Sequence, residues 1–163
     1  MKRKYLILFS LCGLILCLDQ LTKFLARAAI GETRELEIIP GFLRILNLEN
    51  NGFAFGLLKK APSHLQDIFF IAVPIFALIL IILIFIKLRD DQMVTSVALT
   101  CILGGAVGNL VDRLKYGFVM DFVDLHFHDS FHFPPLNLAD LAIIVGVVMM
   151  FFGTFNPVKK VQT

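Results

Sequence analysis

Apolar residues in this chain gather into four long runs separated by shorter polar segments. The first extends from Tyr5 to Leu18 and continues past Asp19 and Gln20 to about Leu25. The second covers Leu65 to Ile86, the third Met93 to Val111, and the fourth Leu136 to Phe155. A helix needs about 20 mainly apolar residues to cross a bilayer, and segments in lipid must satisfy their backbone polar groups internally. The pattern predicts an all-α membrane protein in one domain, residues 1–163, with four transmembrane helices near 5–25, 65–86, 93–112 and 136–155. Pro74 inside the second run predicts a kink. Gly104, Gly105 and Gly108 in the third predict close helix contact.

The connections differ in kind. Lys87 to Gln92 is a short charged turn. Arg34 to Leu48 alternates in places around Pro40-Gly41, which predicts a small hairpin. Asn50-Asn51-Gly52 is a turn, and residues 57–64 predict a short interfacial helix. Lys2-Arg3-Lys4 and Ala26-Arg27-Ala28 have the ends of a secretory signal. Asp19, Gln20, Thr22 and Lys23 interrupt that pattern, and three more runs follow, so the first run is read as a retained helix. Leu14-Ile15-Leu16 before Cys17 lacks the small residue of a lipidation site.

Composition strengthens the membrane reading. The chain is 58% hydrophobic, above the ~45–50% of soluble domains, and its mean hydropathy is +0.83. A net charge of +2 carries no signature of nucleic-acid binding. The three cysteines, Cys12, Cys17 and Cys101, lie in apolar runs with no His beside them, as expected of buried thiols that pack as small hydrophobes. Lys2, Arg3, Lys4, Lys87, Arg89, Lys159 and Lys160 are concentrated in short segments, whereas the other Lys and Arg fall in longer ones. That density predicts both termini on the cytoplasmic side.

Four spans bring particular polar residues to one side. Asp19 closes the first run. Asn109, Asp112 and Arg113 close the third, Asp121 and Asp124 follow in the outer loop, and Asn137 and Asp140 open the fourth. All fall on the outer face. At ~1.5 Å rise per residue, Asp140 is expected about one turn inside the apolar slab, where an ionisable residue marks a functional site by default. Two carboxylates in such a place share one proton. The ionised partner can then take a proton from water while the protonated one supports a carbonyl.

Other readings remain at this level. Asp19 with Lys23, and Asp112 or Asp124 with Arg113, can be structural ion pairs. Asp19, Asp112 and Asp140 can serve a small transporter or proton relay, although the central portions of the runs lack ionisable groups. Asp124, His126, His128, Asp129 and His132 offer zinc ligands, but their spacing matches no established zinc pattern. His64 stands alone.

Five segments decide among these. Asp19-Gln20-Leu21-Thr22-Lys23, Asn50-Asn51-Gly52-Phe53-Ala54-Phe55, Gly104 to Arg113 (GGAVGNLVDR), Val119 to Asp124 (VMDFVD) and Phe133 to Asp140 (FPPLNLAD) occur in that order. Together they resemble bacterial lipoprotein signal peptidase, signal peptidase II, over nearly the whole chain. Leu136 stands where that family often has an aromatic residue, Phe53 where it has a small one, and the His-rich stretch from Leu125 to His132 is not a family requirement. The resemblance implies a membrane aspartyl endopeptidase of the bacterial cytoplasmic membrane. Its substrates would be diacylglyceryl-modified prolipoproteins, cut before the lipidated Cys. It implies Asp121 and Asp140 as catalytic residues. Asp19, Asn50, Asn109, Asp112, Arg113 and Asn137 would support the pair or bind substrate. It further implies a small extracytoplasmic sheet cradling the substrate, with the active site near the outer leaflet. The expected protein is a monomer among membrane lipids, without cofactor or metal.

Overall fold

The computed structural model describes residues 2–31, 35–52, 63–127 and 131–155. In chain order its elements are α1 (Arg3–Ile30), β1 (Glu35–Ile39), β2 (Leu43–Asn50), α2 (Ser63–Lys87), α3 (Met93–Tyr116), β3 (Val119–Phe127), β4 (Phe131–His132) and α4 (Leu138–Phe155). The predicted interfacial helix falls mostly on residues 57–62, outside the described residues; residues 63 and 64 open α2. Phe53, Ala54, Phe55, His128, Asp129, Lys159 and Lys160 also lie outside them.

The bundle is organised around α3, which packs against α1, α2 and α4. Its small residues make this possible, since helices in lipid associate through close packing rather than hydrophobic exclusion. A Cβ added to Gly105 would come 2.2 Å from the Ala139 carbonyl oxygen of α4, and one on Gly108 would come 2.8 Å from Asp19 Oδ2. Ile15 packs on Gly104 and Asp19 on Gly108, so α1 and α3 run parallel and in step. One turn further, the same register carries Lys23 to Asp112.

Away from these seams the helices present large apolar side chains outward. Phe9 and Phe24 of α1, Phe76 of α2 and Phe152 of α4 are each more than 60% exposed, the inverse of a water-soluble bundle. The helices α1, α2 and α3 are long and apolar enough to cross a membrane, while the apolar part of α4, Leu138–Gly153, is shorter. Pro74 lies within α2, which continues as one helix to Lys87. At that end, the buried Lys4 ammonium donates to the Ile86 and Leu88 carbonyl oxygens, satisfying acceptors that a helix C-terminus leaves open.

At the other end of the bundle, where α1 and α3 finish and α4 begins, lies an antiparallel sheet in the order β1-β2-β3-β4. The hairpin expected over residues 34–48 is its β1-β2 pair. The segment carrying Asp121 and Asp124, expected as a loop, is instead the nine-residue strand β3. The alternation that normally reveals a strand is hidden there because both faces are covered, and residues 119–122 are all buried.

Candidate active site

The site begins with the first turn of α4, whose backbone amides have no partner within the helix. Asn137 precedes the helix and Asp140 lies three residues on. The Asp140 amide donates to Asn137 Oδ1 at 2.8 Å, and the Asn137 amide donates to Asp140 Oδ2 at 3.2 Å. This reciprocal pair is a capping box. The Ala139 amide donates to Asp19 Oδ1 at 3.0 Å, so a carboxylate on α1 completes the turn. Two acids are stabilised by the positive end of one helix.

Asn137 then links the two central carboxylates. Its Nδ2 donates to Asp121 Oδ1 at 2.7 Å and to Asn109 Oδ1 at 3.1 Å. Asn109 Nδ2 donates to Asp140 Oδ1 at 2.8 Å. The second Asp121 oxygen accepts from Asn50 Nδ2 at 2.7 Å, while Asn50 Oδ1 accepts the Gly52 amide at 2.8 Å. Asp121 and Asn137 are buried and Asp140 is half-buried. Burial pushes the Asp121 carboxyl up to about 6, and the Asp140 charge acts in the same direction. The hydrogen bonds from Asn50 and Asn137 and the charge of Lys23 oppose the rise.

A bulge in β2 selects which side chains meet Asp121. Ile45 pairs with Val123 and Leu48 with Asp121, so Leu46 and Asn47 together oppose Phe122. Such an insertion reverses the alternation of a strand beyond it. Regular pairing would place Asn47 opposite Asp121 and turn Glu49 toward the same face. The bulge presents Leu48 and Asn50 instead and turns the Glu49 carboxylate away.

Below the pair lies a buried charge cluster. Lys23 Nζ is 2.8 Å from Asp19 Oδ2 and 2.8 Å from Asp112 Oδ2, and it donates to Asn109 Oδ1 at 3.3 Å. Asp112 also accepts from Gln20 Nε2 at 2.9 Å and from the Met120 amide at 3.3 Å. The ammonium and the donors around it compensate two carboxylates that would otherwise be costly to bury. Arg113 lies within electrostatic reach of Asp140, Asp112 and Asp121 and forms no ion pair among the described residues. Its guanidinium stacks 4.5 Å from the Phe70 ring centroid, and its Nε is buried without a hydrogen-bond partner among those residues. Phe70 also presses on Gly52, where φ is +72° and a Cβ would fall 2.0 Å from the ring.

A family profile described as signal peptidase (SPase) II matches residues 11–156. The chain belongs to the signal peptidase II family. It is similar to the lipoprotein signal peptidase of Syntrophus aciditrophicus, with 38% identity over 98% of this chain and 99% of that one. It is also similar to that of Geobacter metallireducens, with 39% identity over 92% and 91%. A solved bacterial membrane enzyme, determined by the in meso method, matches with a TM-score of 0.76 and 30% identity, over 98% of this chain and 93% of its own. Family membership places the chain among the membrane peptidases of lipoprotein processing.

Within this signal peptidase II chain, the structure gathers Asp19, Asn50, Asn109, Asp112, Asp121, Asn137 and Asp140 in one hydrogen-bonded network, with Arg113 within electrostatic reach of it. The Asp19–Lys23 pair suggested by i, i+4 spacing is present, but Asp112 takes Lys23 rather than Arg113. Asp124 lies apart. Three residues along a strand from Asp121, it faces the other way, pairing with Arg44 and lying 3.5 Å from His126 Nδ1. No group of three or more metal-binding side chains occurs among the described residues. Lys23 and Gln20 were not among the candidate site residues. Their motif was visible, but their contacts to Asn109 and Asp112 cross from α1 to α3 and have no local signature.

Proposed function

We propose that this protein is an aspartic endopeptidase that removes signal peptides from diacylglyceryl-modified prolipoproteins by cutting before the lipidated Cys, with Asp121 and Asp140 as its catalytic pair. The observation that carries the reading is the sharing of Asn137 between the two carboxylates, its side-chain amide donating to Asp121 and its backbone amide to Asp140. That side chain and Asn109 hold both acids at one place without neutralising either by a cation. Asp121, desolvated and titrating near 6, is suited to carry the shared proton and support the scissile carbonyl. Asp140, at a helix N-terminus that favours negative charge, is suited to take a proton from water. As the amide bond breaks, the pair returns a proton to the leaving amine. Arg113, with its unpartnered Nε, is suited to bind the substrate backbone.

In this reading α4 is the fourth span of a single-domain monomer in the bacterial inner membrane, surrounded by lipid. Both termini are cytoplasmic, and the sheet lies on the outer surface as a cradle. A lipid-anchored substrate remains in the bilayer, so its scissile bond reaches a site just below the headgroups. No metal or cofactor enters the scheme. A proton relay would need charged or readily protonated groups through the depth of the helices, and the stretches Tyr5–Leu18 and Phe69–Ile86 carry no Asp, Glu, His, Lys or Arg.

The test is cleavage of a diacylglyceryl-modified prolipoprotein in detergent with EDTA present. Wild type should cleave. Asp121→Asn and Asp140→Asn should each lose roughly 10²–10⁴-fold in rate, the range for a positioned acid or base. Asp124→Asn should stay near wild type. Full activity in either dyad variant would overturn the assignment.

A further inference from the structure

The β2 bulge leaves one consequence for substrate choice, which rests on Asp121 and Asp140 being the catalytic pair. Leu48 is the direct cross-strand partner of Asp121. Side chains so paired stand on the same face with Cβ atoms ~4.5–5.5 Å apart. Leu48 is 43% exposed while Asp121 is 1% exposed, so the leucine forms an open apolar rim beside a covered carboxylate. Of the other β2 side chains on that face, Asn50 bonds Asp121 and Ile45 packs against the cluster of Ala26, Met120 and Phe122.

A carbonyl attacked by water at this pair must come within hydrogen-bond reach of the carboxyl groups. The side chain on the acyl side of the scissile bond is one bond removed from that carbonyl, so it arrives within a few ångströms of the Asp121 face. We infer that Leu48 is a specificity-determining residue, an apolar wall beside Asp121 that limits the size of the substrate side chain immediately before the scissile bond. Asn47, which regular pairing would put there, would offer a polar amide. The bulge therefore both supplies the supporting Asn50 and makes the wall apolar.

The experiment compares wild type, Leu48→Ala and Leu48→Phe on two diacylglyceryl-modified prolipoproteins, with Ala or Leu immediately before the lipidated Cys. The readout is the ratio of kcat/KM for the two. Leu48→Ala should shift the ratio toward the larger residue by about tenfold or more, the scale of a few methylenes in an apolar pocket. Leu48→Phe should shift it the opposite way, and Leu6→Ala, at an exposed leucine in the first turns of α1 remote from the sheet, should leave it unchanged. An unchanged ratio in both Leu48 variants, or an equal shift in Leu6→Ala, would overturn the inference. Failure of wild type to cleave either substrate would instead overturn the proposed function.

Discussion

Asp140 and Asn137 hold one another, each backbone amide donating to the other's side-chain oxygen at 2.8 and 3.2 Å. A carboxylate proposed for catalysis is thus also the third residue of a helix cap, and the start of α4 and the site are one object. Asn137→Ala should lower stability by about 1 kcal/mol, as for loss of an N-cap, and abolish cleavage. Asn137→Ser should regain most of the thermal stability, because a serine can still cap, but little activity, because it cannot reach Asp121. Thermal melts beside cleavage rates separate the two roles. Equal recovery of both would contradict them.

Asn50 lowers the Asp121 pKa by donating to its charged form. Asn50→Ala should therefore move the pH limb that reports Asp121 upward from about 6. Rate profiles across pH 4–9 would reveal it, and a limb that stays or falls would argue against the assignment.

Stability should follow the same group. The Asp121 pKa is raised from its ordinary 3.8 to about 6 in the folded chain. Keeping it ionised costs nothing below 3.8, an increasing amount through that window, and a constant amount above it. Melting temperatures of Asp121→Asn relative to wild type should accordingly shift in favour of the variant between pH 4 and pH 7. A difference that does not vary with pH would show that burial does not penalise this carboxylate.

Removing Lys23 leaves Asp19 and Asp112 buried without their cation. Lys23→Met should cost about 3–5 kcal/mol, the range for breaking a buried pair from one side. Adding Asp112→Asn should recover part of that stability. If the double variant is less stable than the single one, charge compensation is not what Lys23 supplies.

Gly105 admits the Ala139 carbonyl oxygen to a distance of 2.2 Å from where a Cβ would lie. Gly105→Ala should push α4 from α3 and carry Asp140 away from Asn109. Activity should fall more steeply than stability, whose loss should be on the order of 1–3 kcal/mol. Wild-type rates in this variant would show that the helix seam does not set the site.

The sequence by itself determined the four helices, because each long apolar run must satisfy its backbone polar groups within itself, and the runs lack the alternation of barrel strands. It also determined, through five ordered motifs, which residues to watch. Asn137 and Asp140 were legible as a pair because a capping box is local, three residues from end to end. What only the tertiary structure decided was set by contacts between distant segments. That Lys23 serves Asp112 as well as Asp19 follows from the glycine seam that puts α1 and α3 in step. That Asp121 lies on a strand was hidden because both of its faces are buried. That Asn50 and Leu48, rather than Asn47 and Glu49, face Asp121 depends on one extra residue in β2. A single such insertion exchanges the two faces of a strand, and only the pairing of β2 with β3 reveals where it occurs.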